Sequence, residues 1–272
     1  MMQVVEQTAL LTVTKIIFSM YLHRDVVVDF YIPKDIEDPS TLSLLLINDG
    51  QDLAKMHFAG LIEGLLNSGQ IQPLFCVGIH TGAERKMEYG TARILDYMGR
   101  GAKAKAYTKF ILEELLRFIH IEYGIERFRK TGFAGFSLGG LSAVDIVWHH
   151  PQLFSIAAVF SGSLWWRTKS LEDGYNEETD RIMHKQIRHG KFHPELKFFF
   201  STGSLDETAD RNNNGIIDSI DDTLGLIDEL EVLGYQQYKD IYYINLEDGK
   251  HDVETWGRAF PFFLLWAFGI SA

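Results

Sequence analysis

Short apolar runs recur along the chain, separated by glycine-bearing turns and longer amphipathic stretches. Residues 42–47, 73–79, 156–160 and 196–201 are apolar runs of strand length, the pattern of strands buried on both faces. Residues 129–136 and 239–245 read as further strands. Segments 8–20 and 25–32, parted by His23-Arg24, predict an opening antiparallel pair. Helical patterns fall at 54–67, 106–123, 141–150, 224–233 and 254–268, with Gly234 closing the fourth. Strands alternating with helices predict a mostly parallel sheet covered on both faces. Segment 164–195 breaks that rhythm. It is polar and helix-prone, and fits either a cap over a site or a solvated crossover helix. No repeat, linker or low-complexity stretch divides the chain, which reads as one domain over 1–272.

With 272 residues the chain can bury a large core. A net charge of −11 argues against nucleic acid or an anionic membrane as partner. The single cysteine, Cys76, cannot form an internal disulfide and reads as a buried strand residue. No apolar run reaches membrane-spanning length. Glu6 and Lys15 interrupt the apolar N-terminus, and no basic leader is evident, so a cytoplasmic protein without a signal peptide is expected.

The candidate chemistry centres on Gly135-Phe136-Ser137-Leu138-Gly139, a G-x-S-x-G pattern between a predicted strand and a predicted helix. That is the context of a nucleophile elbow, in which glycines two residues either side relieve crowding around a strained serine. A serine hydroxyl needs a base beside it and a carboxylate to orient the base. In α/β-hydrolases these follow in the order serine, acid, histidine, each after a strand. After the 196–201 strand comes Gly203-Ser204-Leu205-Asp206-Glu207. Asp206 is the preferred acid, with Glu207 as the alternative. After the 239–245 strand, Gly249-Lys250-His251-Asp252 offers His251 as base. The N–H groups of Leu138 and of Gln51, in the turn Asn48-Asp49-Gly50-Gln51, are the expected oxyanion donors. His80 ends a buried strand and is a candidate pocket residue. His149, His150, His184, His189 and His193 read as ordinary surface residues.

Together with Ser161-Gly162-Ser163-Leu164-Trp165-Trp166, these motifs resemble the putative-esterase family, which contains siderophore (enterobactin-type) esterases, feruloyl esterases and S-formylglutathione hydrolase. The resemblance runs over about 21–268. It implies an α/β-hydrolase fold, an oxyanion donor in the Gly50-Gln51 turn and a small-molecule ester as substrate. The Asp-Gly-Gln turn and the Ser-Gly-Ser-Leu-Trp-Trp segment point to the siderophore-esterase branch. The chain departs from that branch in having no basic cluster for an anionic ligand. Trp165 and Trp166 are candidate pocket residues; the alternative places one in the core and one over a helix. Arg85 and Glu88, in a family-like Arg-x-x-Glu-Tyr pattern, are expected to brace a loop.

Residues 210–221 fit a twelve-residue calcium loop. Asp210, Asn212, Asn214, Asp218 and Asp221 place oxygen side chains at positions 1, 3, 5, 9 and 12, and Ile216 offers its carbonyl at position 7. Gly215 stands at the sharp turn. A structural calcium ion is expected, fixing the strand end that carries Asp206. The sequence therefore predicts a serine carboxylesterase with a Ser137–His251–Asp206 triad and no catalytic cofactor. An acyltransferase or thioesterase on the same triad, and a non-catalytic calcium-binding module, stay open as alternatives. Oligomeric state is left open.

Overall fold

The computed structural model describes residues 9–34, 36 and 38–270; the beginning of the predicted 8–20 strand and the Glu6 part of the leader reading lie outside them. Eight strands form one sheet: β1 (Leu10–Ser19), β2 (Arg24–Pro33), β3 (Ser43–Asn48), β4 (Leu74–Ile79), β5 (Thr131–Phe136), β6 (Ile156–Phe160), β7 (Lys197–Leu205) and β8 (Ile241–Lys250). Their spatial order is β1-β2-β4-β3-β5-β6-β7-β8. β1–β2 and β2–β4 pair antiparallel; every pair from β4 to β8 is parallel. This is the α/β-hydrolase arrangement predicted from the alternation of apolar runs. β3, β4 and β6 are buried along their whole length, as expected of strands covered on two faces. Cys76 lies on β4 with its side chain enclosed, and burial pushes its thiol well above the ordinary value.

The two faces have separate cores. On one, α1 (Phe58–Asn67) and α9 (Val253–Phe268) pack Phe58, Ile62, Phe260 and Phe263 against Phe136, Phe160 and Phe199 of the sheet. The single-turn α2 (Arg85–Glu88) follows β4; the other face is covered by α3 (Ala104–Lys109) and α4 (Leu116–Tyr123), which run on from one another, by α5 (Leu138–His149) and by two later helices, α7 (Ile182–Arg188) and α8 (Asp218–Leu233).

β7 and β8 run four and five residues past their expected ends, to Leu205 and Lys250, and four helix boundaries differ from the sequence pattern. The 54–67 helix is two elements, a 3-10 turn Gly50–Met56 and α1, because His57 takes a left-handed conformation (φ 50°) between them. The 106–123 helix starts at Ala104 and widens to a π-turn over Phe110–Leu115. α5 begins at Leu138, three residues before its apolar stripe, since the turn at Ser137 launches the helix at once. α8 begins at Asp218, where Asp218 and Asp221 suit a helix N-terminus that hydrophobic periodicity does not register.

Segment 164–195 connects β6 to its parallel neighbour β7. It carries α6 (Glu177–Asp180) and α7, and α7 buries Ile182, Met183, His184 and Ile187. It is therefore a crossover with a buried face, not a solvated one. His184 is 1% exposed and its Nε2–H donates to the Asp222 carbonyl at 2.8 Å, so the surface reading of this histidine is corrected. Among the described residues no helix is long and apolar enough to cross a membrane.

Candidate active site

The elbow is built from close backbone contacts. A Cβ on Gly135 would stand 2.2 Å from the Gly139 carbonyl oxygen, so β5 and the first turn of α5 meet only because position 135 has no side chain. Between them Ser137 adopts φ 53°, ψ −120°, a conformation that L-residues rarely take. Leu138, the first residue of α5, has no intrahelical acceptor for its N–H.

The turn after β3 is fastened to this elbow. Asn48 Nδ2 donates to the Gly139 carbonyl at 2.8 Å. Arg85 forms a two-pronged ion pair with Asp49 at 2.7 and 2.8 Å and reaches the Phe136 carbonyl at 3.4 Å. Gly50 presses on β4, where a Cβ would lie 2.4 Å from Gly78 C. The Gln51 side chain is pinned to Thr81, accepting from its N–H and donating to its hydroxyl, both at 3.1 Å. Arg24 grips Glu88 at 2.7 and 2.6 Å. Arg85 and Glu88 thus brace the loop, as the sequence suggested.

The candidate acid and base, Asp206 and His251, follow the ends of β7 and β8. A register shift between Gly203 and Leu205 ends the regular pairing, and Asp206 follows. Its side chain is 1% exposed. One carboxylate oxygen accepts from Gly203 N–H at 3.0 Å and Ser219 Oγ at 3.4 Å; the other accepts from Ser161 Oγ at 3.0 Å. His251 Nδ1 lies 3.9 Å from that second oxygen. Burial lowers the His251 pKa, the Asp206 carboxylate raises it, and the Arg85 guanidinium lowers it further. A lowered pKa leaves the ring neutral near pH 7, the state a general base needs.

A cavity of about 310 Å³ is lined by Ser137, Ser161, Ser163, Trp165, Asp206, Glu207, Ser219 and His251, with Gly162. Serine, acid and histidine therefore face one space. Ser137 Oγ lies 3.3 Å from Ser163 Oγ. Glu207 stands in the same cavity, its carboxyl pushed up by burial and by Asp218. Asp206, not Glu207, is the carboxylate beside His251.

Two pocket candidates are elsewhere. His80 turns towards β2, where its Nε2 meets Asp29 Oδ2 at 2.6 Å, and it does not line the cavity. The antiparallel neighbour strand supplies the carboxylate that captures the ring. Trp166 is 0% exposed and packs against Gly90 and Gly101 in the core, while Trp165 stays at the cavity. The tryptophan pair thus divides between core and site. Ser161, Ser163, Ser219 and Trp256 are site residues that the sequence reading did not assign. The available signal was the pair of hydroxyls directly after β6, the strand beside the nucleophile strand.

In the 210–221 loop, Asp210 accepts from the N–H groups of Asn214 and Gly215 at 3.1 and 2.9 Å. Asn212 and Asn214 donate their amides to Asp221 at 3.0 and 3.1 Å. Asp218 accepts from the N–H of Arg211, also within the loop, at 2.9 Å. Among the described residues no three His, Cys, Asp or Glu side chains form a metal-holding group.

Comparison with known proteins bears on the family and the fold. Over a 158-residue stretch, 56% of this chain, it is 29% identical to the iron(III) salmochelin esterase of Escherichia coli O6:H1 (strain CFT073), and it spans 36% of that protein's length. The enterobactin esterase from Shigella flexneri, solved in the presence of enterobactin, superposes with a TM-score of 0.71 at 18% identity, over 94% of this chain and 58% of the other. A ferulic acid esterase superposes with a TM-score of 0.69 at 17% identity, over 95% and 97%. These two likenesses are of fold. Residues 19–266 match the family described as Putative esterase, and the chain belongs to that family.

Proposed function

We propose that this chain is a serine carboxylesterase that cleaves a small-molecule ester through Ser137, His251 and Asp206. The observation that carries the reading is the single cavity onto which the strained Ser137, the acid-backed His251 and Asp206 all open. In the reaction His251 takes the Ser137 proton as Oγ attacks the ester carbonyl, then returns it to the leaving alcohol. Asp206 holds the ring and stabilises the imidazolium. The N–H groups of Leu138 and Gln51 hold the oxyanion. Water then cleaves the acyl-enzyme by the same proton path.

Family membership and the salmochelin esterase relative favour an ester of an aromatic acid or a siderophore arm as substrate. A cavity of about 310 Å³, walled by Trp165, suits one acyl arm. The 210–221 loop is proposed to take one structural Ca²⁺ through Asp210, Asn212, Asn214, the Ile216 carbonyl and Asp221, with Asp218 or a water completing the set. The twelve-residue spacing supports this, as does the gathering of Asn212 and Asn214 on Asp221. The ion would hold the segment between Asp206 and α8 and supply no chemistry to the ester.

The test is a panel of p-nitrophenyl, feruloyl and catecholate esters, with Ser137→Ala as blank and a fluorophosphonate probe as label. Hydrolysis and labelling that both vanish in the variant support the reading. A wild-type protein that neither turns over esters nor takes the label overturns it.

A further inference from the structure

Ser161 is a buried residue in an unfavourable conformation. It follows β6, is 1% exposed and has φ 45°. Glycine would adopt that conformation without cost, and the next residue is a glycine. The serine differs from glycine by its hydroxymethyl group, and that group is fully engaged. Trp256 Nε1–H donates to Ser161 Oγ at 3.0 Å, and the Ser161 hydroxyl donates to Asp206 at 3.0 Å. Its N–H is fixed by the Ser201 carbonyl at 2.7 Å, which ties the residue to β7.

Trp256 closes the circuit from the other side. Its indole stacks on Phe136, the residue before the nucleophile, with centroids 5.1 Å apart at 18°. It also meets the His251 ring edge to face, at 5.3 Å and 84°. One tryptophan on α9 therefore touches the base by its ring and reaches the acid through a hydroxyl.

We propose that Ser161 and Trp256 are positioning residues that set the orientation of both Asp206 and His251. The proposal rests on the triad reading above. The oxygen of Asp206 that faces His251, 3.9 Å from its Nδ1, is the one that Ser161 holds, so the hydroxyl donates to the carboxylate oxygen that looks at the imidazole. A donor on a carboxylate oxygen fixes its rotamer and spreads its charge. Less charge is then left to stabilise the imidazolium, which keeps the histidine neutral at working pH. The other charged groups facing His251 are Arg85 and Asp252; the titratable groups near Asp206 are Glu207, Tyr243 of β8 and His251 itself. None of them donates to the Ser161 side of the carboxylate.

The test compares Ser161→Ala, Ser161→Gly and Trp256→Phe with wild type, reading kcat, KM, melting temperature and the pH profile of kcat/KM. The Ser161 variants are expected to lose about ten- to a hundredfold in kcat, the size of one hydrogen bond to a charged group. KM should change little. The acidic limb of kcat/KM should move up by roughly half a unit to one unit, because His251 then receives the whole charge of Asp206. Trp256→Phe, which keeps an aromatic ring and loses the indole N–H, should shift the limb the same way by less. Ser161→Gly removes the backbone strain together with the hydroxyl, so it should stay folded and decides the matter. A Ser161→Gly enzyme with wild-type kcat and pH profile overturns the proposal. So does a fall in rate with no change in the profile, which would mark a purely structural role. Asp206→Asn separates the two readings: if it leaves activity intact the triad fails, whereas an inactive Asp206→Asn beside a normal Ser161→Gly removes only the positioning role.

Discussion

Gly203 and Gly249 lie in backbone contact: a Cβ on Gly203 would stand 2.4 Å from the Gly249 carbonyl oxygen. The first glycine precedes Asp206 by three residues, and the second precedes His251 by two. The ends of β7 and β8 close on each other only because neither position carries a side chain, and this closure brings the acid towards the base. Gly203→Ala must push the two strand ends apart, since the atoms it meets are backbone. We expect roughly tenfold or greater loss of kcat/KM from misplacement of Asp206, since small displacements of catalytic groups cost rate steeply. Secondary structure should be retained by circular dichroism. An alanine variant with full activity would show that the contact does not position the pair.

Removing the proposed nucleophile should abolish turnover without unfolding the chain. Ser137→Ala is expected to lower ester hydrolysis about 10⁴-fold or more. Its melting temperature should stay near wild type, since among the described residues the one hydrogen bond of the Ser137 hydroxyl is the 3.3 Å contact with Ser163. The measurement is initial rate on any accepted ester, paired with the melting curve. Substantial activity in folded Ser137→Ala would move the nucleophile elsewhere, with Ser163 the first alternative to test.

The two adjacent acids should behave differently. Asp206 is enclosed, accepts three hydrogen bonds and stands beside His251. Glu207 lies in the same cavity without a cationic partner among the described ion pairs. Asp206→Asn is therefore expected to reduce kcat by about 10⁴-fold. Glu207→Gln should cost less than roughly tenfold on a neutral ester. A reversed order of the two effects would transfer the orienting role to Glu207.

Much of this site was legible because its chemistry is tied to strand ends. Ser137, Asp206 and His251 each follow an apolar run, and glycines mark the close approaches. His80 shows where that logic stops. It too follows a buried strand, but which neighbouring carboxylate claims its ring depends on sheet order, and local sequence does not encode that order. Trp165 and Trp166 are adjacent and chemically identical, so only the turn after β6 decides which one reaches the cavity. Ser161 and Trp256 were invisible for a related reason. They are 95 residues apart and acquire a role only once α9 packs over β6. The start of α8 was missed because its first turn is polar, and periodicity reports burial rather than helix ends.

Stability should fall in mild acid because of His184. The ring is buried, and burial holds its pKa well below the ordinary value, with Arg181 adding to the lowering. Nδ1 has no hydrogen-bond partner and Nε2 donates to a carbonyl, so the folded protein holds the neutral ring. Below the ordinary histidine pKa the unfolded chain takes up a proton that the folded chain refuses. Stability contributed by this group is therefore complete above that value and declines as pH falls. The limiting slope is about 1.4 kcal/mol per pH unit for one histidine. Urea unfolding between pH 7.5 and 5 should show the decline, and His184→Gln should flatten it. His251 contributes in the same direction, but it is partly exposed and its effect is smaller. An unchanged slope in His184→Gln would assign the acid sensitivity to other groups.

Calcium should act on stability rather than on the chemical step. Residues 210–221 link the Asp206 strand end to α8, and Ser219, at the start of that helix, donates to Asp206. Arg211 within the loop is anchored to Asp222 of α8 at 2.9 Å, so one side of the loop is already fixed. A cation among Asp210, Asn212, Asn214 and Asp221 would replace the amide hydrogen bonds that Asp221 now accepts. Affinity should be modest, since two ligands are neutral amides and the last carboxylate is the shorter Asp. Binding to the folded state alone adds stability by mass action, about 2.7 kcal/mol at a hundredfold excess over Kd. For a chain of this length that corresponds to a rise in Tm of roughly 5–10 °C. Chelator should reverse the rise, and Asp210→Asn combined with Asp221→Asn should abolish the response. Activity below the melting transition should change little with calcium, because the proposed proton transfer between Ser137 and His251 needs no metal. Any loss on chelation should follow the loosening of Asp206 and return when calcium is restored. A melting curve indifferent to both chelator and calcium would leave the loop as a hydrogen-bonded turn that binds no ion.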